Sequence, residues 1–424
     1  MKNLSLTLCL FFLLAACTSN APLPEIVTPV PEPETPEEPI YNIRVDIPLT
    51  QNEKELALIG NSFAYDLYAK VQEAKETPNV VVSPLSVSLA FSMLNNGAYG
   101  TTQEEIQKVL GFEGYTAADI NSYYKKMLEA AATIDPMVIL ETANSIWINN
   151  GFPVRTEFVT VNQEAFEAEI RNEDFNNPEV LKMINDWASE KTHGKIPTIL
   201  DELDPATVVI LMNALYFLGD WKNPFEKEET REAVFTNANG QTAKVDMMHK
   251  TEHGTYYQND QFAMIQLPYG NGAFYLQLIL PHEGVTLEEV SQDLEKKLNW
   301  DTSDLRGVGA KISLQLPKFE IDFDADLKLI LQELGMEAPF DPTKADFSRM
   351  SEIPTVISFV KQKASITVNE KGSEAAAVTV IGMETTASGD PIVPCDFHVN
   401  RPFLFQIKEV SSNAIFFMGE VTEL

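Results

Sequence analysis

Val368-Asn-Glu-Lys-Gly-Ser-Glu-Ala-Ala-Ala-Val-Thr-Val-Ile-Gly-Met383 has the pattern of a half-buried strand, yet it is framed as a loop. From Ser373 to Thr386 nothing is bulky enough to forbid an extended backbone, and β-branched residues recur. The charges Glu374 and Glu384 both fall at even positions, whereas Ser373, Ala375, Ala377, Thr379, Ile381, Met383 and Thr385 are uncharged. Alternate residues of a strand face opposite sides. One face therefore suits a core, while both glutamates point to solvent. Lys371-Gly372 opens the segment and Ala387-Ser-Gly-Asp-Pro391 follows it, both loop signals. A loop with strand parity points to conditional insertion into a sheet. An edge strand or a plain surface loop is the ordinary alternative.

Around this segment the chain divides into three parts. Lys2 gives a short basic start, and Leu4 to Leu14 is an apolar run of secretory length. Leu14-Ala15-Ala16-Cys17 places small residues before a cysteine, as in a bacterial lipoprotein signal. Residues 1–16 are then a signal peptide and Cys17 carries the lipid; an ordinary secretory signal with an incidental cysteine is the alternative. Residues 17–48 hold prolines at 22, 24, 29, 31, 33, 36, 39 and 48 with glutamates between them. Such a segment cannot bury a core and acts as an extended spacer. Residues 49–424 show no internal linker or repeat and form the folded domain. The expected location is that of an exported lipoprotein of the outer membrane, on its periplasmic or cell-surface face. Cys395 is then the lone thiol of the domain, so its core is held by packing without a disulfide. A net charge of −31 speaks against nucleic acid and anionic lipid as partners.

Within the domain, Leu56, Ile59, Phe63 and Leu67 fall on one helical face. Ser83-Pro84 opens a second helix running to Asn95-Asn96-Gly97, and Thr101-Thr102-Gln-Glu-Glu resembles a capping box for another. Met137 to Asn149 reads as a strand ending at Asn150-Gly151, and Glu179 to Lys191 as an amphipathic helix around Leu181, Ile184 and Trp187. Thr207 to Leu218 is apolar enough for a central strand buried on both faces. Phe262 to Leu267 and Phe274 to Leu280 flank a hairpin turn at Tyr269-Gly-Asn-Gly272. Lys311 to Phe319 reads as a strand whose parity shifts at Pro317, and Ala325 to Leu334 as a helix closed by Gly335. Thr355 to Glu370 reads as a long strand leading into the loop, and Phe403 to Ile407 with Ala414 to Met418 as a final pair. The fold class is α+β with large sheets.

Catalytic chemistry is hard to place. His193, His249, His253, His282 and His398 stand in no nucleophile arrangement, and no Gly-x-Ser-x-Gly elbow occurs. His249 and His253 lack the glutamate of a zinc-protease helix, and Gly254 argues against a helix there. Gly270-Asn-Gly272 lacks the third glycine of a dinucleotide loop. Neither enzyme activity nor a metal or other cofactor is expected.

Several segments, in order, resemble the serpin family over roughly residues 50–424. They are Asn79-Val-Val-Val-Ser-Pro-Leu-Ser-Val-Ser-Leu-Ala90, Leu211-Met-Asn-Ala-Leu-Tyr-Phe-Leu-Gly-Asp-Trp-Lys-Asn-Pro-Phe225, Leu316-Pro-Lys-Phe-Glu320 and Ala345-Asp-Phe-Ser-Arg-Met350. Val368 to Ala377 resembles the hinge of the reactive-centre loop, and Phe397-His-Val-Asn-Arg-Pro-Phe-Leu-Phe-Gln-Ile407 the signature after it. The resemblance implies one domain of three β-sheets and eight to nine helices, with an exposed reactive-centre loop at about 371–391. It implies an inhibitor, monomeric by default, that traps serine, or alternatively cysteine, proteases as covalent acyl complexes by inserting its cut loop into the main sheet. A non-inhibitory serpin-fold binding protein or protease substrate is the alternative.

Carried over by position, the hinge is Glu370, Gly372, Ser373, Glu374, Ala375, Ala376 and Ala377. Family spacing puts the scissile bond at Thr386-Ala387, with Thr385-Thr386, Ala387-Ser388 and Met383-Glu384 as alternatives. Small residues there suit elastase-like or subtilisin-like targets. Ser83, Ser86 and Asn213 match polar positions that gate sheet opening, with Gln362 standing where the family often has histidine, and Trp221 matches the point where insertion begins. The residues add their own argument. Inward positions 373, 375, 377 and 379 are small and uncharged, and burying an unpaired charge there would be costly. Gly372 is expected to supply backbone freedom at the bend.

Overall fold

Helix formation begins where the chain offers a cap: the Thr50 hydroxyl accepts the Glu53 N–H and the Glu53 carboxylate accepts that of Thr50. This opens α1 (Gln51–Ala74), whose Leu56, Phe63 and Leu67 are buried. The structure, a computed structural model, describes residues 43–298, 305–373 and 393–424. The expected signal, the expected anchor cysteine and most of the expected spacer lie outside the described residues. Ile47 is already buried in the core, so packing begins slightly before the expected boundary at 49.

After β1 (Val80–Val82), Ser83 caps α2 (Pro84–Asn95) through its hydroxyl, with proline in the first turn. The next helix, α3 (Gly100–Val109), departs from expectation. Its cap is Tyr99 without a side-chain bond, and no capping box forms at Thr101-Thr102. Thr102 is buried and its hydroxyl accepts the Asp346 N–H at 2.8 Å, a tertiary use that removes it from capping. Then come α4 (Ala117–Ala131), β2 (Val138–Asn149), α5 (Thr156–Phe166), β3 (Glu169–Glu173), α6 (Glu179–Lys191) and β4 (Val209–Asp220). β5 (Arg231–Thr236), β6 (Thr242–Gln258), β7 (Phe262–Pro268) and β8 (Phe274–Pro281) follow, the last two joined by the expected hairpin. After α7 (Leu287–Ser291) and α8 (Leu294–Leu298), β9 (Arg306–Pro317) and β10 (Phe319–Asp326) are separated at Pro317-Lys318.

Two expectations contract. The helix foreseen at Ala325 to Leu334 is α9 (Lys328–Glu333), because Ala325 and Asp326 remain paired with Gln362 and Lys361. The long strand foreseen at Thr355 to Glu370 is β11 (Lys361–Val368). Upstream of it, Ile357 N–H donates to Pro339 rather than to a neighbouring strand. The chain ends in β12 (Gly372–Ser373), β13 (Val393–His398), β14 (Phe403–Glu409) and β15 (Ile415–Val421).

These strands hydrogen-bond into a nine-stranded sheet, β1-β15-β14-β8-β7-β6-β9-β13 with β5 on β6, and a six-stranded sheet, β10-β11-β12-β4-β2-β3. The expected third sheet is not separate. β6 spans 17 residues, pairing with β5 at one end, β7 at the other and β9 between, and so fuses two sheets into one network. Nine α-helices are present among the described residues. One face of β4 packs on the main core beneath α2, through Leu215 and Phe217. The opposite face, through Ile210, Met212 and Ala214, packs with Trp147 and with Ile184 and Trp187 of α6.

Lys408 on β14 is a liability in this core. It is 6% exposed, and burial pushes its ammonium down to about 7. The folded value lies below the unfolded one, so the native state favours the neutral amine. Stability from this group is full above the unfolded pKa near 10.4 and falls as pH drops toward 7. Lys408→Met is expected to raise the unfolding free energy measured in urea at pH 7 by roughly 4 kcal/mol. It should also flatten the pH dependence between 7 and 10; an unchanged slope there would contradict the assignment.

Candidate functional site

The six-stranded sheet is parted at its centre. Among the described residues β4 and β11 do not pair with each other. They are joined only by β12, which sits between them with Ser373 opposite Gly219 on one side and Val368 on the other. Below this bridge lies a cavity of about 320 Å³. Its walls include Phe91 and Leu94 of α2, Val209 and Leu211 of β4, and the segment 354–360.

At the top, the hinge is tightly held. Gly372 approaches the neighbouring strand so closely that a Cβ there would lie 1.9 Å from the Gly219 carbonyl oxygen. Glycine is therefore required by contact. Its φ is not among the left-handed ones, so the reason differs from the expected backbone freedom. Ser373 is 2% exposed, and its hydroxyl shares a 2.6 Å hydrogen bond with Tyr269. Tyr269 stacks on Trp221 at 4.5 Å and 11°, and the indole N–H donates to the Asn369 carbonyl at 2.9 Å. Backbone N–H groups of Trp221 and Phe225 donate to Lys371 and Glu370. Burial pushes the Glu370 carboxyl up, but hydrogen bonds from its own backbone, Thr230 and Lys318 outweigh it and hold it below the usual carboxylate range. The bonds measure 2.9 Å from Thr230 and 3.3 Å from Lys318.

The residues expected to gate sheet opening fall into two groups on opposite sides of the gap. On one side Gln362 Nε2 donates to the Ser83 carbonyl at 2.7 Å, and Ser83 Oγ donates to Phe416 at 2.9 Å while accepting the Ser86 N–H. On the other, Asn213 Nδ2 donates to Asn144 Oδ1 at 2.9 Å. Asn144 in turn donates to the Phe166 carbonyl at 2.7 Å. Gln362 Oε1, Asn213 Oδ1 and Ser365 Oγ are buried without a partner. The two groups do not meet, because β4, which carries Asn213, and β11, which carries Gln362, are apart.

Asn144, Ser365 and Tyr269 were not foreseen. Asn144 interrupts an otherwise strand-like run and is 2% exposed, so a buried amide in a β-rich segment was the available signal. Ser365 and Tyr269 carried none. Cys395 on β13 is unpaired, and burial and then Asp396 push its thiol up. His249 and His253 lie on β6, and among the described residues no cluster of three or more His, Cys, Asp or Glu is placed to hold a metal. Glu374, Ala375, Ala376, Ala377, Met383, Thr385, Thr386, Ala387, Ser388 and Cys17 lie outside the described residues.

Comparison with known proteins agrees with this geometry. The family described as "Serpin (serine protease inhibitor)" matches residues 59–424. Human Serpin I2 is 33% identical over 373 residues, covering 86% of this chain and 90% of its own length. Among solved structures, the native thermophilic serpin tengpin aligns with TM-score 0.77 and 29% identity, over 90% of this chain and 97% of tengpin. A thyroxine-binding globulin solved with thyroxine aligns with TM-score 0.74 and 27% identity, over 87% and 99% of the two chains. The chain belongs to the serpin family, described as serine protease inhibitors.

Proposed function

We propose that this serpin is inhibitory, and that its loop, once cut by a serine protease, fills the gap between β4 and β11 as a new strand. The observation that carries this reading is β12, two hinge residues already seated in the gap and bonded to both strands. Continued without a slip, that register sets position 375 against Phe217 and Ile366 and position 377 against Leu215 and Ala364. Position 379 then meets Asn213 and Gln362. The chain supplies alanine, alanine and threonine at these places. Alanine fits beside the large partners, and the Thr379 hydroxyl would donate to one of the two orphan amide oxygens. Ser373 faces the core, so odd positions face inward and Glu374 and Glu384 outward.

In the reaction the family likeness implies, the protease serine attacks the carbonyl before the scissile bond. The C–N bond breaks, the new amine leaves with the proton, and an ester joins the two proteins. Inhibition requires insertion to outrun attack of water on that ester. The proposed bond is Thr386-Ala387, within 383–388. Its small flanking residues suit elastase-like or subtilisin-like proteases, and the nearest basic residue on the amino-terminal side is Lys371. The same proposal includes export and lipid anchoring at Cys17, supported by Leu14-Ala-Ala-Cys17 and the proline-rich spacer. Metabolic labelling with palmitate is expected to mark the wild type and not Cys17→Ser.

A panel of elastase-like, subtilisin-like and trypsin-like proteases tests the inhibitory reading. An SDS-resistant complex should form with the first two, with mass spectrometry placing the cut within 383–388. Loop cleavage should raise the melting temperature sharply. Cleavage without complex or stabilisation would instead indicate a substrate or binding protein.

Hinge variants test the seat. Gly372→Ala places a Cβ against the Gly219 carbonyl and is expected to raise the stoichiometry of inhibition about ten-fold, the effect of roughly 1.4 kcal/mol on the competition between insertion and hydrolysis. Ser373→Arg puts a charge where 2% of the residue is exposed and should convert the inhibitor to a substrate. Normal inhibition by Ser373→Arg would sink the insertion mechanism.

A further inference from the structure

The turn that grips the hinge is itself gripped from the other sheet. It follows β4 and runs from Trp221 to Phe225, and its backbone holds Glu370 and Lys371. On β6, the Lys250 side chain is 9% exposed and that of Glu252 10%, with Nζ 3.1 Å from Oε1. The Lys250 ammonium also donates to the Asn223 carbonyl at 3.0 Å and lies 4.5 Å from the centre of the Phe225 ring and 5.9 Å from that of Trp221. Asn223 Nδ2 donates to Glu252 at 3.5 Å. A cation over aromatic faces gains most when water is excluded. Burial pushes this ammonium down, and the Glu252 carboxylate opposes that.

We propose that Lys250 is a positioning residue for loop insertion: with Glu252 it clamps the 221–225 turn to the nine-stranded sheet, and so fixes the hinge in register with β4. The inference rests on the insertion reading above. Among the described residues Lys250 bonds Asn223 and Glu252 rather than the hinge residues themselves. It acts through the turn, whose N–H groups and indole hold residues 369–371. With the clamp intact the hinge starts from a seated position, and the insertion step avoids searching for its register. With the clamp loosened, the turn shifts, insertion slows, and more of the acyl-enzyme is hydrolysed.

The experiment compares wild type, Lys250→Met, Lys250→Arg and the double variant Lys250→Met/Glu252→Gln. The double variant leaves no buried carboxylate unpaired, so it stands in if the single Met variant folds poorly. Two quantities are read: stoichiometry of inhibition against an elastase-like protease, and the rate of the tryptophan-fluorescence change after loop cleavage. Lys250→Met and the double variant are expected to raise the first and lower the second about five-fold, the scale of one ordinary hydrogen bond. Melting temperatures should differ from wild type by only a few degrees, and Lys250→Arg should restore both quantities. Unchanged insertion rates overturn the clamp. So do changes that merely track lost stability and are not rescued by arginine. A wild type that inserts its cleaved loop but forms no complex sinks the inhibitory reading alone, leaving the clamp to be judged on insertion rate. A wild type that shows no stabilisation on cleavage removes both.

Discussion

The pairing of Gly372 and Ser373 with Asp220 and Gly219 is the contact on which the rest of the arrangement turns. It exists because Gly372 lets the two backbones approach to a distance that a Cβ there would forbid, while a Cβ on Gly219 would instead meet the Tyr269 ring at 2.8 Å. Below it, β4 and β11 present facing edges inside a sheet. An open edge carries unpaired N–H and C=O groups that seek a strand. Each ladder bond recovered contributes about 1 kcal/mol, and each orphan amide oxygen at Asn213 and Gln362 adds to the drive. A parted sheet of this kind holds its free energy in unmade bonds, and β12 marks where they begin to be made.

What holds the parted state is a set of contacts at the top, drawn from both sheets. Tyr269 belongs to the β7–β8 hairpin turn, Trp221 to the turn after β4, and Ser373 to the hinge, yet stacking and one hydrogen bond join them. Glu370 is tied to Thr230 and Lys318 just outside. Lys250 reaches the same turn from β6. These contacts orient the hinge without filling the gap, so the strands below can remain apart while the first pair is already registered.

Much of this was legible in the chain, because local physics determined it. The Ser83-Pro84 cap and the Gly270-Asn-Gly272 turn each follow from backbone preference. Where tertiary contacts decided, the chain was silent. Thr102 looked like a cap residue and instead serves Asp346. Thr355 to Val360 looked like strand but binds back to Pro339 and Leu327. Gly372 was read for its freedom and is needed for its lack of a side chain. The fusion of two sheets depends on the length of β6, which no turn signal interrupts. The sequence singles out neither Lys250 nor Glu252, whose burial comes from the fold.

If the loop inserts as proposed, the same register would demand small residues on one of its faces and tolerate larger ones on the other. Phe217, Leu215 and Ile366 already occupy the inward side of the gap. Under the insertion proposed above, a strand arriving between them would have room for alanine, and threonine at 379 would meet the polar pair Asn213 and Gln362. A larger residue at 375 or 377 would have to displace buried aromatics, at the cost of overpacking a filled core. On the outward face Glu374 costs little, since solvent remains available to it. The selectivity of the gap thus lies in the neighbours it already has, and the loop's alternation is the complement of theirs.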